Sequence, residues 1–242
     1  MPQPSPREQT LEAELAALRA ELQGLLATVS HDLRAPLRHI SAYVQLVQED
    51  AAPQLSPEVQ GFLNTISDSA QHLGQMLDGL TGLARVGASA VQLEPVALQP
   101  LLHTLADALS AQHPGRTLVW QIAPDLPAVQ ADAALLRQAL GALLDNAVKF
   151  SAGIDPAQIA ISASQRDGMV QLQVRDNGVG FKPTQAHQLF QVFSRLHSPR
   201  QFPGLGLGLA LARKVAERLG GQISAQAELN AGCCISLRLP GA

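Results

Sequence analysis

The chain has 242 residues, 46% of them hydrophobic and only 15% charged, with a net charge of −3 and 3% aromatic residues. That is enough for one domain of ordinary size plus a smaller helical unit, with a core of Leu, Val, Ile and Ala rather than rings. The absence of a basic cluster argues against nucleic acid as a partner, and no apolar run approaches the ~18 residues of a membrane span. The start of the chain is polar and proline-rich rather than a signal peptide, so the expected location is cytoplasmic.

Residues 1–10 read as a disordered tail. From Leu11 the positions Leu11, Leu15, Leu18, Leu22, Leu25 and Val29 alternate steps of four and three, a coiled-coil seam that needs a partner helix. The period continues through Leu33, Leu37, Ile40, Val44 and Val47, so a helix of about 35 residues carries the run His31-Asp32-Leu33-Arg34-Ala35-Pro36-Leu37. Pro36 inside that helix removes a hydrogen bond and predicts a kink just after the histidine. After a turn at 51–57, a second amphipathic helix runs from Val59 to near Gly87. Residues 11–88 thus predict a helical hairpin with a long apolar stripe. Two copies would bury it as a four-helix bundle, hence a homodimer.

A linker is expected over 89–94, and a second domain over 95–242 in which helices and strands alternate. Helices are predicted at 100–112, 131–150 and 209–219, the second opened by Asp132 and the third closed by Gly220-Gly221. Strands are predicted at 117–122, at 159–164 and 169–175 around an Asp167-Gly168 turn, and as a final hairpin of 222–227 and 234–239. The fold class is an α-helical hairpin followed by an α+β sandwich, one sheet with helices on one face. Adjacent Cys233 and Cys234 suit neither an ordinary disulfide nor a four-ligand metal site, and read as small residues of the last strand.

An unperturbed histidine is largely neutral near pH 7, so an imidazole on the first helix is a competent nucleophile. Alone, a histidine on a helix is usually a surface or satisfied residue, and the second domain is what raises a reactive role for His31. In the second domain, Asp145-Asn146-Ala147-Val148-Lys149-Phe150 offers an Asn oxygen suited to Mg²⁺ and a Lys suited to phosphate, or simply a polar helix end. Asp176-Asn177-Gly178-Val179-Gly180 follows a strand. Its carboxylate can accept from an exocyclic amine such as adenine's, and its glycines admit a close ligand, although an ordinary turn has the same pattern. Gly204, Gly206 and Gly208 open into a helix, whose free N-terminal amides form an anion site; the spacing is neither a Walker A loop nor a dinucleotide fingerprint. Residues 182–203 read as a lid from which Lys182, Arg195, His197 and Arg200 reach a triphosphate, or as a solvated loop.

In order and spacing these segments resemble the sensor histidine kinases of two-component systems: an H box at His31, an N box around Asn146, a G1 box at 176–180, an F box at 190–193 and a G2 box at 204–208. The resemblance covers almost all of residues 25–240. The His31 run and Phe193-Ser194-Arg195-Leu196-His197 are similar to its phytochrome-like branch. It implies a HisKA-type dimerisation hairpin and an ATP-binding domain of the histidine kinase/gyrase (GHKL) type, with ATP and Mg²⁺ as cofactors. His31 would be the phosphoacceptor, with Asp32 holding its other ring nitrogen. Asn146 would bind the metal and, with Lys149, Phe150, Asp176, Asn177, Gly178, Gly180, Arg195, His197, Gly204, Gly206 and Gly208, the nucleotide. The phosphoryl group would pass to an aspartate of a response regulator receiver domain, under a sensor protein or domain upstream.

Three departures bear on activity. Ala142 stands where the N box often has a first Asn, which removes a polar contact to Mg²⁺ or phosphate and predicts slow kinase activity; Leu205 stands where the G2 box commonly has Thr, which removes a hydroxyl near the lid. Ala35 stands where members that also dephosphorylate their partner carry Thr or Asn, which predicts weak phosphatase activity. Two alternatives remain at this level. One is a dimeric signalling scaffold that keeps the fold without turnover. The other is an ATPase of the gyrase or mismatch-repair type, in which the hairpin carrying His31 has no role.

Overall fold

The computed structural model describes residues 6–88, 90–198 and 200–242, in two compact units that divide between Ser89 and Ala90. The first unit is a hairpin of α1 (Pro6–Ala51) and α2 (Pro57–Ala88), joined through a short 3-10 turn at Ala52–Gln54. The first helix is longer than its apolar period suggests: it begins at Pro6, so the tail expected over 1–10 is helical from residue 6, and its first five residues lie outside the described set. Pro36 is contained within α1. The second helix starts where the sequence provides a start. The Ser56 hydroxyl accepts from Val59 N at 3.3 Å, Pro57 follows where no N–H is needed, and Glu58 faces the positive end of the dipole.

Polar rungs join the two helices along their length. Gln23 Nε2 donates to Ala84 O at 3.2 Å, Arg34 reaches Asp78 Oδ1 at 2.7 Å, and Gln48 Nε2 donates to Asn64 Oδ1 at 2.8 Å. Beside His31, buried Ser30 shares a 3.1 Å hydroxyl contact with Thr81. Among the described residues few apolar side chains are fully covered: Val44, Ala70 and Val86 are buried, while Leu22, Leu25, Val29, Leu33, Ile40, Ile66 and Leu73 are exposed.

The second unit is a mixed five-stranded sheet in the order β2-β4-β5-β7-β6, from β2 (Leu118–Ile122), β4 (Ala157–Arg166), β5 (Met169–Asp176), β6 (Gln222–Ala227) and β7 (Cys233–Pro240). Only β2 and β4 run parallel. Ile159, Ile161, Val170, Leu172, Val174, Ile235, Leu237 and Leu239 are buried, whereas Gln158, Ser162, Gln171, Arg175 and Arg238 are exposed. That alternation is the period-2 pattern of a sheet covered on one face. The cover is α3 (Leu98–Gln112), α4 (Ala133–Phe150) and α5 (Gly208–Arg218).

A second small sheet departs from the single-sheet expectation: β1 (Glu94–Val96) pairs antiparallel with β3 (Val129–Ala131), so the segment read as a linker over 89–94 ends inside a strand. Asp132 stands just outside α4 as its N-cap rather than in its first turn. Its carboxylate accepts from Ala134 N and Leu135 N at 3.0 and 3.1 Å and from Gln92 N at 3.2 Å. The Leu135 and Gln92 amides hold its pKa below the ordinary 3.8.

Replacing Asp132 by Ala is expected to cost about 1 kcal/mol at pH 7. A lowered folded-state pKa stabilises above the unfolded value, so the gap closes as pH falls through the folded value, below 3.8. Urea unfolding followed by Trp120, the single tryptophan and a residue of this unit, reads both effects.

Candidate active site

Helix α4 brings three of the singled-out residues to one wall. Asn146 is 9% exposed on its buried side, and Lys149 and Phe150 end the helix. Burial lowers the Lys149 pKa, partly offset by Asp145 one turn earlier, and its Nζ lies 4.7 Å from the Phe150 ring centroid. The Phe150 carbonyl accepts from Val179 N at 3.1 Å, which ties the helix end to the loop after β5.

That loop begins at Asp176, the last residue of β5, 8% exposed. Its Oδ1 accepts from Gly178 N at 2.8 Å and Cys233 N at 3.3 Å, the latter from the residue paired with it across β7. Desolvation outweighs these bonds and raises its pKa to about 6. Gly178 is required by the tight turn, since a Cβ there would lie 2.5 Å from Phe150 O and 2.7 Å from Asp176 Oδ1.

The opposite wall is residues 193–209. Leu207 precedes α5 without a side-chain cap, so the first amides of α5 open beside Gly204, Gly206 and Gly208. Gly206 adopts φ +71°, its carbonyl accepts from Phe193 N at 3.1 Å, and a Cβ would meet Ser194 O at 2.5 Å. Two contacts fasten the lid: Arg195 Nη1 donates to Gly204 O at 3.0 Å, and the His197 ring bonds Gly180 O at 2.9 Å through Nε2. A carbonyl only accepts, so Nε2 carries the proton. The His197 ring also meets Phe150 and Phe202 at 5.5 and 5.3 Å between centroids, and Phe150 meets Phe202 at 5.0 Å.

These walls enclose a cavity of about 370 Å³. Asn146, Lys149, Phe150, Asp176, Gly180, Arg195, His197, Gly204, Gly206 and Gly208 line it. Asn177 and Gly178 stand outside that wall. Asn177 Oδ1 accepts from Gln158 N at 2.9 Å and its Nδ2 donates to Pro156 O at 3.1 Å, so it staples β5 to the start of β4. Gly178 serves through its amide on Asp176. Lys182 and Arg200 are exposed and outside the lining. Sequence reasoning missed Phe202 and Cys233. Phe202 is a lone ring in a loop, and the Cys233 amide reaches Asp176 only through a cross-strand register that no local pattern encodes.

His31 and Asp32 belong to the first unit, on a solvent-facing stretch of α1. Their side chains are 84% and 70% exposed, and Nδ1 lies 3.1 Å from Asp32 Oδ1. A carboxylate only accepts, so in the neutral ring Nδ1 carries the proton and Nε2 keeps its lone pair.

A histidine-bearing helical hairpin is followed by an α+β domain with a glycine-rimmed cavity that holds a buried carboxylate. Comparisons with known proteins identify both parts. Residues 21–89 match the His Kinase A (phospho-acceptor) domain, and residues 131–242 match the histidine kinase-, DNA gyrase B- and HSP90-like ATPase domain. The chain belongs to the sensor histidine kinases. It is 29% identical over 94% of its length to the methanogenesis regulatory histidine kinase FilI of Methanothrix harundinacea, and 28% identical over 95% to cyanobacterial phytochrome A of Nostoc sp.. It spans only 25% and 30% of those two relatives. Full-length ShkA, solved in complex with AMPPNP, superposes with a TM-score of 0.64 at 30% identity, covering 90% of this chain and 46% of that one.

The raised pKa of Asp176 has a sign that stability measurements read. A folded-state value near 6 above an unfolded 3.8 means that stability falls as pH rises through that window. Asp176→Asn keeps an oxygen for the Gly178 and Cys233 amides. It is therefore expected to be more stable than wild type at pH 8, with the gap shrinking as pH falls through 6 and closing below 3.8, again by Trp120-detected unfolding.

Proposed function

We propose that this chain is an ATP-dependent protein-histidine autokinase that phosphorylates His31 and passes the phosphoryl group to an aspartate of a response regulator. The observation that carries the reading is the pairing of a solvent-facing histidine, its Nδ1 held by Asp32, with a cavity that joins a buried carboxylate to an uncapped helix N-terminus. The carboxylate of Asp176 accepts from the exocyclic amine of adenine. The α5 amides and Lys149 meet the phosphates. Asn146 lines the cavity with a side-chain oxygen that would hold Mg²⁺. When bound, Mg²⁺ neutralises charge on the phosphates.

His31 Nε2 attacks the γ-phosphorus, the bond to the β–γ bridging oxygen breaks, and ADP leaves. Asp32 holds the proton on Nδ1 and stabilises the ring as it gains positive charge. Little else is required of the protein beyond positioning, which suits a site without a nucleophile–base–acid triad. Arg195 and His197 act on the nucleotide chiefly through the lid they fasten, since each is bonded to a backbone carbonyl.

The exposed apolar row on the hairpin supports a second copy of the chain as partner, closing a four-helix bundle. An upstream sensor would act through the continuous α1. Among the described residues no helix is long and apolar enough to cross a membrane. Ala142 leaves an apolar wall between α4 and Gly208, which supports slow turnover.

Incubation with γ-labelled ATP and Mg²⁺ beside His31→Gln tests the reading. Alkali-stable, acid-labile label is expected on wild type and none on the variant. Nucleotide binding with no label would favour the scaffold, and ATP hydrolysis that survives His31→Gln would favour a free ATPase. With Ala35 after the acidic residue, Mg²⁺-dependent dephosphorylation of a phosphorylated regulator by the purified protein is expected to be weak; robust turnover would refute that assignment.

A further inference from the structure

We infer that Arg116 is a positioning residue of the nucleotide site, acting as the cap of the helix that carries Asn146 and Lys149; the inference rests on the reading of the cavity as a nucleotide site. An α-helix ends with carbonyls that have no partner within it, and each needs one from elsewhere. At the end of α4 they can be accounted for one by one. The Ser151 hydroxyl, fully buried, is shared between Ala147 O at 2.7 Å and Val148 O at 3.1 Å. Lys149 O accepts from Ala152 N at 3.1 Å, and Phe150 O from Val179 N at 3.1 Å.

Ser151 O, just beyond the helix, accepts from Ile154 N at 3.0 Å, and a further donor to this end is brought from a distant segment. Arg116, in the turn between α3 and β2, places Nη1 2.7 Å from Val148 O and Nη2 2.9 Å from Ser151 O. One planar fork thus spans two carbonyls at the negative end of the helix dipole, a geometry that a lysine ammonium cannot reproduce. Among the described residues no carboxylate pairs with Arg116, so its charge is directed to the helix end.

The consequence for the site is specific. The turn that Arg116 fixes holds Lys149 and Phe150 in the cavity wall, and the Phe150 carbonyl holds the Val179 amide in the loop that starts at Asp176. Freed from Arg116, the helix end keeps only its local bonds from the Ser151 hydroxyl and the Ala152 and Ile154 amides, and the loop tied to it through the Phe150 carbonyl loosens with it. The sheet behind them, bonded through its own ladders, does not.

The test uses the full chain as wild type, Arg116→Ala and Arg116→Lys, with calorimetric titration of ADP and Mg²⁺ and with amide hydrogen exchange. Arg116→Ala is expected to bind ADP about tenfold more weakly, with recovery on adding dilute guanidinium, and Arg116→Lys to lie between. Exchange should quicken at 150–154 and 178–180 and stay unchanged in β5 and β7 before Asp176 and after Cys233. Wild-type affinity in Arg116→Ala, a loss that guanidinium leaves untouched, or faster exchange spread over the sheet overturns the inference. Should Arg116→Ala fail to fold, Arg116→Lys carries the same comparison: weaker binding with exchange confined to those two segments supports it, and wild-type behaviour overturns it. A wild-type chain that binds ADP without phosphorylating His31 overturns the kinase reading alone. One that binds no adenine nucleotide overturns both.

Discussion

A carboxylate held more than nine-tenths out of water is the constraint around which the second unit is arranged. Asp176 keeps its place through two backbone amides, one from the turn that follows it and one from the neighbouring strand. Both are fixed dipoles, and together they only partly offset the loss of water, so the group remains poised near pH 6. The turn can direct its amide back only because residue 178 is a glycine pressed against the Phe150 carbonyl. Placing one charge in the cavity floor thereby fixes the end of β5, the register of β7 and the end of α4 at once.

The same economy of parts holds on the other wall. The start of α5 is left without a side-chain cap, and the lid is fastened above it through carbonyls of Gly180 and Gly204 and through a three-ring cluster rather than through salt bridges. The cationic features of the cavity are the helix amides, Lys149 and the Arg195 already bonded to Gly204 O, with burial acting against the Lys149 charge. An anionic ligand relieves that penalty and is repelled by nothing in the wall except Asp145 and Asp176. Recognition of a nucleotide and instability of the empty charged groups are two sides of one arrangement.

Much of this was legible in the sequence where the pattern is local. The long helices follow from their apolar period, the strands of the main sheet from alternation, and the glycine-rich segments from their positions after a strand and before a helix. What escaped is non-local or short. Strands β1 and β3 have three residues each, one with Pro95 at its centre, too little for a periodic signal. Asn177 sits in a binding motif by sequence yet spends both ends of its amide on the backbone of residues 156 and 158, a choice visible only once β4 lies alongside. Phe202, Cys233 and Arg116 act through partners far away in the chain. The contact between His31 and Asp32 went the other way: adjacent helical residues ordinarily diverge, and here a side-chain rotamer brings them within 3.1 Å.

The central claim is that Asp176 makes the cavity selective for adenine nucleotides, and calorimetric titration of ADP and GDP with Mg²⁺ across pH 5 to 8 tests it most directly. Guanine presents a carbonyl oxygen where adenine presents an amine, so it meets the carboxylate acceptor to acceptor. The account predicts ADP binding that weakens as pH falls through about 6, with GDP far weaker than ADP above that pH, where Asp176 is ionised. Equal affinity for the two nucleotides, or ADP binding indifferent to pH over that window, would contradict it.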